Sequence, residues 1–187
     1  PPVLQGIDDR ILKFFGESLR SPEWDFFVLD LSSLGSMAVV VAVSIVGLAL
    51  LLLAGDPAAA VHLALVAIGG FKIAGWAKAF FDRPRPEVIP KLVQIGGPSF
   101  PSGHAVTASA IYLTLAILAA RHFRSAAARA TLFGLAALLV SAVCFSRVYM
   151  GVHYPTDVLS GTLLGSAWAL IMGAFFSRHW HFQHDER

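Results

Sequence analysis

Residues 37–54, MAVVVAVSIVGLALLLLA, contain no charged side chain and no proline. An α-helix of this length rises about 27 Å, which is close to the thickness of about 30 Å of a bilayer's hydrocarbon core. A soluble protein does not require an apolar run of this length to build its core. The segment therefore predicts a helix that crosses a membrane.

Four further apolar segments follow, at residues 58–81, 104–120, 130–145 and 158–176. Turn-forming or charged residues separate them, among them Gly55-Asp56-Pro57 and the proline-rich stretch 84–101. Hydrophobic residues make up 56% of the chain and charged residues 14%, against about 45–50% and about 25% in soluble proteins. We predict an all-α fold, a polytopic membrane helix bundle of five spans whose embedded core covers residues 37–177.

The segments before the first span are amphipathic rather than uniformly apolar. In residues 7–20, IDDRILKFFGESLR, the apolar side chains fall on one helical face beside acidic and basic ones. Residues 24–34 are similar, and Trp24 can anchor them at a membrane surface. We predict that residues 1–36 form helices in the membrane interface, and that residues 178–187 form a cytoplasmic tail.

The basic residues predict the direction in which the bundle crosses the membrane. Arg121, Arg124 and Arg129 lie between the third and fourth spans, and Arg178 follows the fifth. The positive-inside rule places these residues in the cytoplasm. The loops at residues 82–103 and 146–157 then lie on the opposite side, and a further span upstream of Pro1 is expected.

Three polar clusters lie at the ends of apolar spans, where packing explains polar side chains least well. They are KAFFDRPRP at residues 78–86, PSGH at residues 101–104 and SRVYMGVHYPTD at residues 146–157. The first two share one loop and the third lies two spans later, so counting spans places all three on one side of the membrane. We therefore predict that they form one site.

The cations and the helix start in these clusters suit a phosphate group. Lys78, Arg85 and Arg147 carry positive charge, and the arginine fork matches the geometry of phosphate oxygens. Ser102 and Gly103 precede the third span, where the serine can cap the helix and free backbone N–H groups can face an anion.

The two histidines supply reactive groups. His104 and His153 can transfer protons or attack phosphorus near neutral pH. Asp157 lies four residues after His153, so on a helix the two side chains share a face. A carboxylate in that position can hold the imidazole in one tautomer, as in other pairs of a nucleophile and its orienting group.

Taken together, the three clusters resemble the type-2 phosphatidic acid phosphatase superfamily, which also contains the vanadium haloperoxidases. The family pattern is Lys-x6-Arg-Pro, then Pro-Ser-Gly-His, then Ser-Arg-x5-His-x3-Asp, and residues 78–157 reproduce it fully. The match of all three parts is highly specific, whereas any one part alone would be weak.

The resemblance implies a role for each matching residue. His153 would attack phosphorus and form a phosphohistidine, and Asp157 would orient it. His104 would protonate the leaving oxygen and then activate water. The phosphate oxygens would be bound by Lys78, Arg85, Arg147, Ser102 and the Gly103 amide. No metal or other cofactor is implied, and the sequence lacks the carboxylate cluster that a Mg²⁺ site uses.

Some polar residues fall outside this pattern. Lys72 lies about 9 Å of helix rise before Lys78, so it either snorkels to the interface or faces a polar cavity. Arg83 either shapes the loop or meets a lipid headgroup, and Asp82 is expected to order the nearby arginines. His62 is expected at the membrane interface rather than in catalysis.

Three further features of the sequence carry structural expectations. Gly161 and Gly165 form a small-xxx-small pattern, which is expected to allow close packing inside the bundle rather than to mark a dimer face. Cys144 is the only cysteine, so no disulfide can form within the chain. A solvated tail is expected to carry His179, His181 and His184.

The residues and the resemblance together predict a metal-independent integral membrane phosphatase acting on a lipid phosphate or pyrophosphate. The candidate substrates are undecaprenyl pyrophosphate, phosphatidylglycerol phosphate, phosphatidic acid and lipid A phosphate. Membrane lipids are expected partners, whereas a net charge of +2 without a basic run argues against nucleic acid. We predict a bacterial inner-membrane location with the active site on the non-cytoplasmic face.

Three alternative functions remain open at this point, as does the oligomeric state. A lipid phosphotransferase would use the same phosphohistidine and pass the group to an alcohol. A vanadium haloperoxidase is disfavoured because those relatives are soluble and larger. A transporter or membrane scaffold would bind phosphate in the same clusters without chemistry.

Overall fold

The computed structural model describes the backbone of residues 2–184 and the side chains of residues 4–177. Within those residues every regular element is a helix. The elements in chain order are α1 (Pro2–Phe14), a π-helical turn (Phe15–Leu19), α2 (Pro22–Ser33), α3 (Met37–Leu53), α4 (Pro57–Phe81), α5 (Gly103–Ala120), α6 (Ala126–Tyr149) and α7 (Pro155–His184). The expected tail at residues 178–187 has its side chains outside the described part, and residues 185–187 lie outside it altogether.

The helices follow the order of the predicted spans, and they provide four candidate spans, or five if one bent pair of helices counts as a single span. Helices α4, α5, α6 and α7 are each long and apolar enough to cross a membrane. Helices α2 and α3 meet at a bend of 42° and together make a fifth candidate span. The prediction of an all-α bundle is confirmed. Helix α3 is long enough to cross a membrane only together with α2. Helices α6 and α7 extend beyond the predicted segments at both ends.

Local chemistry explains where the helices begin and end. At the turn between α3 and α4, Gly55 adopts a left-handed φ of 75°, a conformation that costs glycine little. The Asp56 carboxylate then accepts the Ala59 N–H at 2.8 Å, and Pro57 takes the first position of α4, where its missing N–H is not needed. Ser36 and Ser125 cap α3 and α6 in the same way.

Helix α5 lies at the centre of the bundle, and 12 of its 18 residues are buried. Its neighbours approach closely because their facing residues are small. A Cβ atom added at Gly165 of α7 would lie 2.2 Å from the Val106 carbonyl oxygen, and one at Gly161 would lie 2.7 Å from the Ser102 oxygen. The expectation that these glycines serve packing within the bundle is confirmed.

The outer surface of the bundle is apolar. Leu53, Trp76 and Phe80 are 85%, 71% and 82% exposed. Exposing such apolar side chains to water would cost about 25 cal/mol for each Å² of apolar surface. Such a surface suits contact with lipid chains. Lys72 is also exposed on α4, which favours the snorkelling alternative over a place in a cavity.

The residues before α3 pack onto one end of the bundle. Leu12 of α1 is fully buried and joins an apolar cluster with Ile89 and Tyr154. The Arg20 guanidinium donates to the carbonyl oxygens of Pro90, at 2.6 Å, and of Tyr149. These contacts tie residues 4–36 to the two loops that carry the polar clusters.

Two expectations about single residues are wrong. His62 does not present its ring to a membrane interface: the side chain is fully buried among the helices, and its ring stacks on Phe176 at 4.8 Å between ring centres. Asp82 does not order the arginines, because it is exposed and ends α4 with a left-handed φ of 41°. The carboxylates that pair with Arg83 come from α1 and α7 instead.

Candidate active site

The three polar clusters meet at one end of the bundle, as counting spans predicts. Helices α4 and α6 end there, and α5 and α7 begin there. The second and third clusters are joined directly, because the Ser102 N–H donates to the Asp157 carbonyl oxygen at 3.0 Å. Gly161, one turn along α7, leaves the room that this approach needs. The basic loop at residues 121–125 lies at the opposite end of α5 and α6.

His153 and Asp157 face each other at the start of α7. The Nδ1 atom of His153 lies 3.5 Å from Oδ2 of Asp157, which is too long for a well-formed hydrogen bond but close enough for the carboxylate to orient the ring. The same Oδ2 accepts the Tyr154 N–H at 2.9 Å. His153 is 3% exposed on its side chain and Asp157 is 0% exposed, so neither can turn freely into solvent.

The contacts of His153 define its tautomer. Its Nε2 atom lies 3.3 Å from Nη1 of Arg85. A guanidinium can only donate, so Nε2 accepts and the proton of the neutral ring is on Nδ1, facing Asp157. Burial lowers the pKa of His153 from 6.5 to about 4, with a contribution from the charges of Arg147 and Arg85 against the opposing effect of Asp157. The lowered pKa favours a neutral ring at pH 7, with an unprotonated Nε2 whose electron pair faces the Arg85 N–H.

Arg85 links two loops as well as contacting His153. Its guanidinium donates to the Val152 carbonyl oxygen at 2.9 Å. Three carbonyl oxygens of the preceding loop accept its other N–H groups, those of Gly96, Gly97 and Pro98. The residue predicted to bind phosphate is thus also the residue that holds the loop at 96–98 against the histidine.

The other two cations are held in the same region. The Lys78 ammonium donates to the Pro98 carbonyl oxygen at 2.6 Å. Arg147 is 3% exposed; its Nη1 donates to the Ser32 hydroxyl at 2.7 Å, and its Nε has no hydrogen-bond partner. A buried N–H group without a partner costs about 1–3 kcal/mol, a cost that an anionic ligand would remove.

The Ser102 hydroxyl is also buried and has no hydrogen-bond partner. Ser102 is the N-cap residue of α5, but its side chain does not cap the helix, so the expected capping hydrogen bond is absent. Two neighbouring hydroxyls of α5 are satisfied locally, since Thr107 donates to Gly103 and Ser109 to Ala105, whereas the buried Thr114 hydroxyl, deeper in the helix, also has no partner. Since the first N–H groups of a helix also lack helical partners, Ser102 and Gly103 together present donors to one place.

His104 lies in the first turn of α5, one residue after Gly103. It is within electrostatic range of His153, Arg147, Lys78 and Arg85. The bend between α2 and α3 closes on it, because a Cβ atom added at Gly35 would lie 3.2 Å from the His104 side chain. All eight predicted site residues are therefore placed at one end of the bundle, although this placement does not by itself assign their roles. Within the described residues, no three His, Cys, Asp or Glu side chains are grouped as a metal site would need.

The structure adds polar residues that the sequence patterns do not single out. Arg83 donates to Asp157 at 2.7 Å and to Asp8 at 2.8 Å. Asp8 belongs to α1 and is fully buried. Arg83 could be suspected from its place in the Arg-Pro-Arg-Pro string. Asp8 gave no signal, because an acidic residue in an amphipathic helix usually faces water.

Comparison with known proteins agrees with this arrangement. The family model of the PAP2 superfamily matches residues 58–181. The chain is 37% identical to phosphatidylglycerophosphatase B of Bacillus subtilis over 89 residues, which are 47% of this chain and 43% of that protein. It is 33% identical to lipid A 4'-phosphatase of Porphyromonas gingivalis over 107 residues, which are 52% of this chain and 40% of that protein. The alignments thus cover less than half the length of these relatives.

Two solved structures share the fold. The crystal structure of a transmembrane PAP2-type phosphatidylglycerolphosphate phosphatase from Bacillus subtilis superposes with a TM-score of 0.88 at 24% identity, covering 95% of this chain and 88% of that one. The crystal structure of Aquifex aeolicus LpxE gives a TM-score of 0.69 at 27% identity, covering 87% and 92%. With a family model that spans most of the chain and membrane-spanning helices in the same arrangement, this protein is an integral membrane member of the PAP2 superfamily.

Proposed function

We propose that the protein is a metal-independent phosphatase that removes phosphate from a lipid phosphate or pyrophosphate through a phosphohistidine at His153. One observation carries this proposal. The buried His153 ring has its Nδ1 side towards Asp157 and its Nε2 towards Arg85, and burial lowers its pKa to about 4, which favours an unprotonated Nε2 close to the positive charges of Arg85 and Arg147. A neutral nucleophile beside fixed cations suits attack on a phosphate anion.

The first half-reaction begins with attack of His153 Nε2 on phosphorus. The N–P bond forms while the P–O bond to the lipid breaks, and the electron pair goes to the lipid oxygen. His104, protonated in the substrate complex, gives its proton to that oxygen, and the negative charge of the bound phosphate favours the protonated form of His104. Asp157 stabilises the positive charge that develops on the His153 ring.

The second half-reaction returns the enzyme to its starting state. His104, now neutral, takes a proton from water, and the water oxygen attacks phosphorus. The N–P bond breaks, its electron pair returns to Nε2, and inorganic phosphate leaves. In this scheme His104 acts first as general acid and then as general base, as the two directions of proton transfer require.

The phosphate oxygens are bound by donors that already lie around His153. Ser102 and Arg147 contribute the unpartnered hydroxyl and Nε–H group described above. Lys78, Arg85 and the Gly103 amide complete the set, with Arg85 exchanging contacts to loop carbonyl oxygens and to His153 for contacts to the phosphate. The unpartnered groups of Ser102 and Arg147 can bind phosphate without rearranging, and donors fixed in this way stabilise charge in the transition state, so no metal is needed for that task.

The substrate class follows from where the site lies. The residues proposed to bind phosphate lie at the end of an apolar bundle. A lipid whose phosphate group binds there would therefore keep its acyl or prenyl chain beside the lipid-facing helices. The relatives named above are phosphatases of phosphatidylglycerophosphate and lipid A, which supports substrates of this kind. The basic loop after α5 lies at the opposite end, which supports an active site on the non-cytoplasmic face of the inner membrane.

The test is phosphate release from four lipids in detergent: undecaprenyl pyrophosphate, phosphatidylglycerol phosphate, phosphatidic acid and lipid A. Wild-type protein should release phosphate from at least one, and His153→Ala should abolish release. His122→Ala, which changes an exposed histidine at the opposite end of the bundle, should retain it. Retained release in His153→Ala would defeat the mechanism, and no release by wild-type protein would defeat the function.

The intermediate has a test of its own. With ³²P-labelled undecaprenyl pyrophosphate, His104→Ala should accumulate protein-bound label that is stable in base and labile in acid. The reason is that the lipid phosphate leaving group needs little help from an acid, whereas hydrolysis of phosphohistidine needs the base. If the wild-type enzyme were active but neither it nor the His104→Ala variant carried protein-bound label, the intermediate would be excluded.

A further inference from the structure

Arg83 is the most highly connected polar side chain near the site that the mechanism above does not use. Its Nη1 donates to Asp157 Oδ1 at 2.7 Å and to Thr156 Oγ1 at 2.8 Å. Its Nη2 donates to Asp8 Oδ2 and to Gln5 Oε1, both at 2.8 Å. All four terminal N–H groups thus point at protein acceptors, and two of these are the buried carboxylates of Asp8 and Asp157, whose ion pairs a substrate phosphate would have to displace.

Asp8 completes the connection from α1 to α7. Its Oδ1 accepts the backbone N–H of Thr156 at 3.0 Å, and its Oδ2 accepts the Thr156 hydroxyl at 2.5 Å. Thr156 is the second residue of α7, so its N–H is one of those that a helix cannot satisfy internally. By accepting this N–H, Asp8 caps the first turn of α7 from another helix. Its side chain is fully buried in doing so.

The arrangement controls the rotation of the Asp157 carboxylate. Arg83 occupies Oδ1, which leaves Oδ2 for the Tyr154 N–H and for the His153 ring. The guanidinium is also held by stacking, because its central carbon lies 4.0 Å above the Tyr154 ring centre. If Arg83 moved away, Asp157 would lose the hydrogen bond that fixes which oxygen faces His153.

We propose that Arg83 and Asp8 are positioning residues of the reaction, forming a carboxylate–guanidinium–carboxylate chain through which helix α1 orients Asp157 and, by it, His153. The inference rests on the proposed function. It assigns a part in the chemistry to α1, an element outside the three sequence motifs. It also gives Arg83 a role different from contact with a lipid headgroup.

The experiment measures kcat and KM separately on dioctanoyl phosphatidic acid and the other three lipids, for full-length protein in detergent. The variants are Arg83→Ala, Arg83→Lys and Asp8→Asn. Arg10→Ala on α1 and Asp30→Asn on α2 change exposed residues of the same charge and are the matched controls. Thermal unfolding in the same detergent checks that each variant is folded.

Misplacing a reacting group by about 1 Å costs about 100-fold in rate, so we expect Arg83→Ala to lower kcat about 100-fold with KM changed less than threefold. Arg83→Lys keeps the charge but cannot bridge two carboxylates, and should recover about a tenth of wild-type kcat. Asp8→Asn should lower kcat about tenfold. The two controls should stay within twofold of wild type.

A double-mutant cycle distinguishes positioning from general destabilisation. In an Asp157→Asn background, Arg83→Ala should cost less than threefold, because its route to His153 has already been removed. A full 100-fold loss in that background would overturn the inference. So would a rise in KM with unchanged kcat, which would indicate direct phosphate binding, or Arg83→Ala with wild-type kinetics.

Folding failure of Asp8→Asn alone would not decide the outcome, since Arg83→Lys tests the same chain with a milder change. The two proposals also fail differently. A wild-type protein inactive on all four lipids overturns the proposed function and this inference with it, whereas an active wild type with a fully active Arg83→Ala overturns the inference alone.

Discussion

His153 illustrates how a common side chain becomes a specific reagent through its surroundings. An exposed histidine is partly protonated near neutral pH, and a protonated ring has no electron pair for phosphorus. Burial at 3% exposure, together with Arg147 and Arg85, makes the charged ring unfavourable. Asp157 alone would have the opposite effect on the pKa, so in the proposed mechanism its role is to orient the ring and to stabilise the charge that appears later.

The protonation state of His153 leads to a direct prediction. Because burial lowers its pKa to about 4, the ring is neutral at every pH above that value and becomes charged only as the pH falls through it. In ¹⁵N spectra of the histidine-labelled protein in detergent, the His153 signals should report a neutral ring with its proton on Nδ1 down to about pH 4. The His153→Asn variant assigns them. Titration near pH 6.5, or a proton on Nε2, would contradict the assignment of the nucleophile.

Ser102 offers a prediction in which stability and activity separate. Its hydroxyl is buried without a partner, so Ser102→Ala removes a group that costs about 1–3 kcal/mol in the empty site, and the melting temperature should not fall. A hydrogen bond to a charged group contributes about 1.5–3 kcal/mol, so kcat/KM should fall about 10- to 100-fold.

The matched control for Ser102 is Ser109→Ala on the same helix. The Ser109 hydroxyl is buried but donates to the Ala105 carbonyl oxygen at 2.7 Å. That change should leave kcat/KM within about twofold of wild type. If Ser102→Ala kept wild-type kcat/KM, the hydroxyl would have no part in binding phosphate.

At the scale of the elements, the contact between α5 and α7 brings the second and third motifs together. The Ser102 N–H reaches the Asp157 carbonyl oxygen only because α7 presents glycine towards α5. Backbones that approach this closely pack through small residues, as is common between membrane helices. The glycines therefore contribute to the site without carrying any reactive group.

Gly165→Ala tests this contact. The added Cβ would lie 2.2 Å from both the Ser109 hydroxyl and the Val106 carbonyl oxygen, and the carbonyl cannot turn away. Overpacking of this kind costs about 1–3 kcal/mol, so the melting temperature and the specific activity should both fall. Gly134→Ala on α6, where nothing lies within 4 Å of the new Cβ, should change neither. An unaffected Gly165→Ala would show that the helices separate without cost.

The sequence predicts those parts of the molecule that local patterns determine. The spans follow from hydropathy, and residues such as Lys78, His104 and His153 follow from spacing within three short motifs. Asp8 and Arg83 could not be paired in this way, because 75 positions separate them and no periodicity relates α1 to the loop after α4. His62 and Asp82 were misplaced for a similar reason: hydropathy does not determine which face of a helix turns inward.

At the scale of the whole molecule, charge is distributed unequally between the two ends of the bundle. The site end contains cations that contact carbonyl oxygens, carboxylates or hydroxyls, such as Lys78, Arg83 and Arg147. The opposite end carries Arg121 and Arg124 in the loop between α5 and α6, and Arg129 near the start of α6. Only the basic residues of the loop at the opposite end indicate the orientation in the membrane. Cations that take part in a binding site are needed in either orientation of the chain, so they do not indicate it.

Labelling of single cysteines tests the orientation that this distribution predicts. In a Cys144→Ser background, Glu87→Cys lies in the loop at the site end and Arg124→Cys in the basic loop, and both positions are exposed. A membrane-impermeant maleimide should label Glu87→Cys in intact bacterial spheroplasts and Arg124→Cys only after permeabilisation, because the basic loop stays in the cytoplasm. Labelling of both after permeabilisation controls for accessibility. The reverse labelling pattern would place the phosphate-binding residues on the cytoplasmic side. The substrates would then need a phosphate group at the cytoplasmic surface of the membrane.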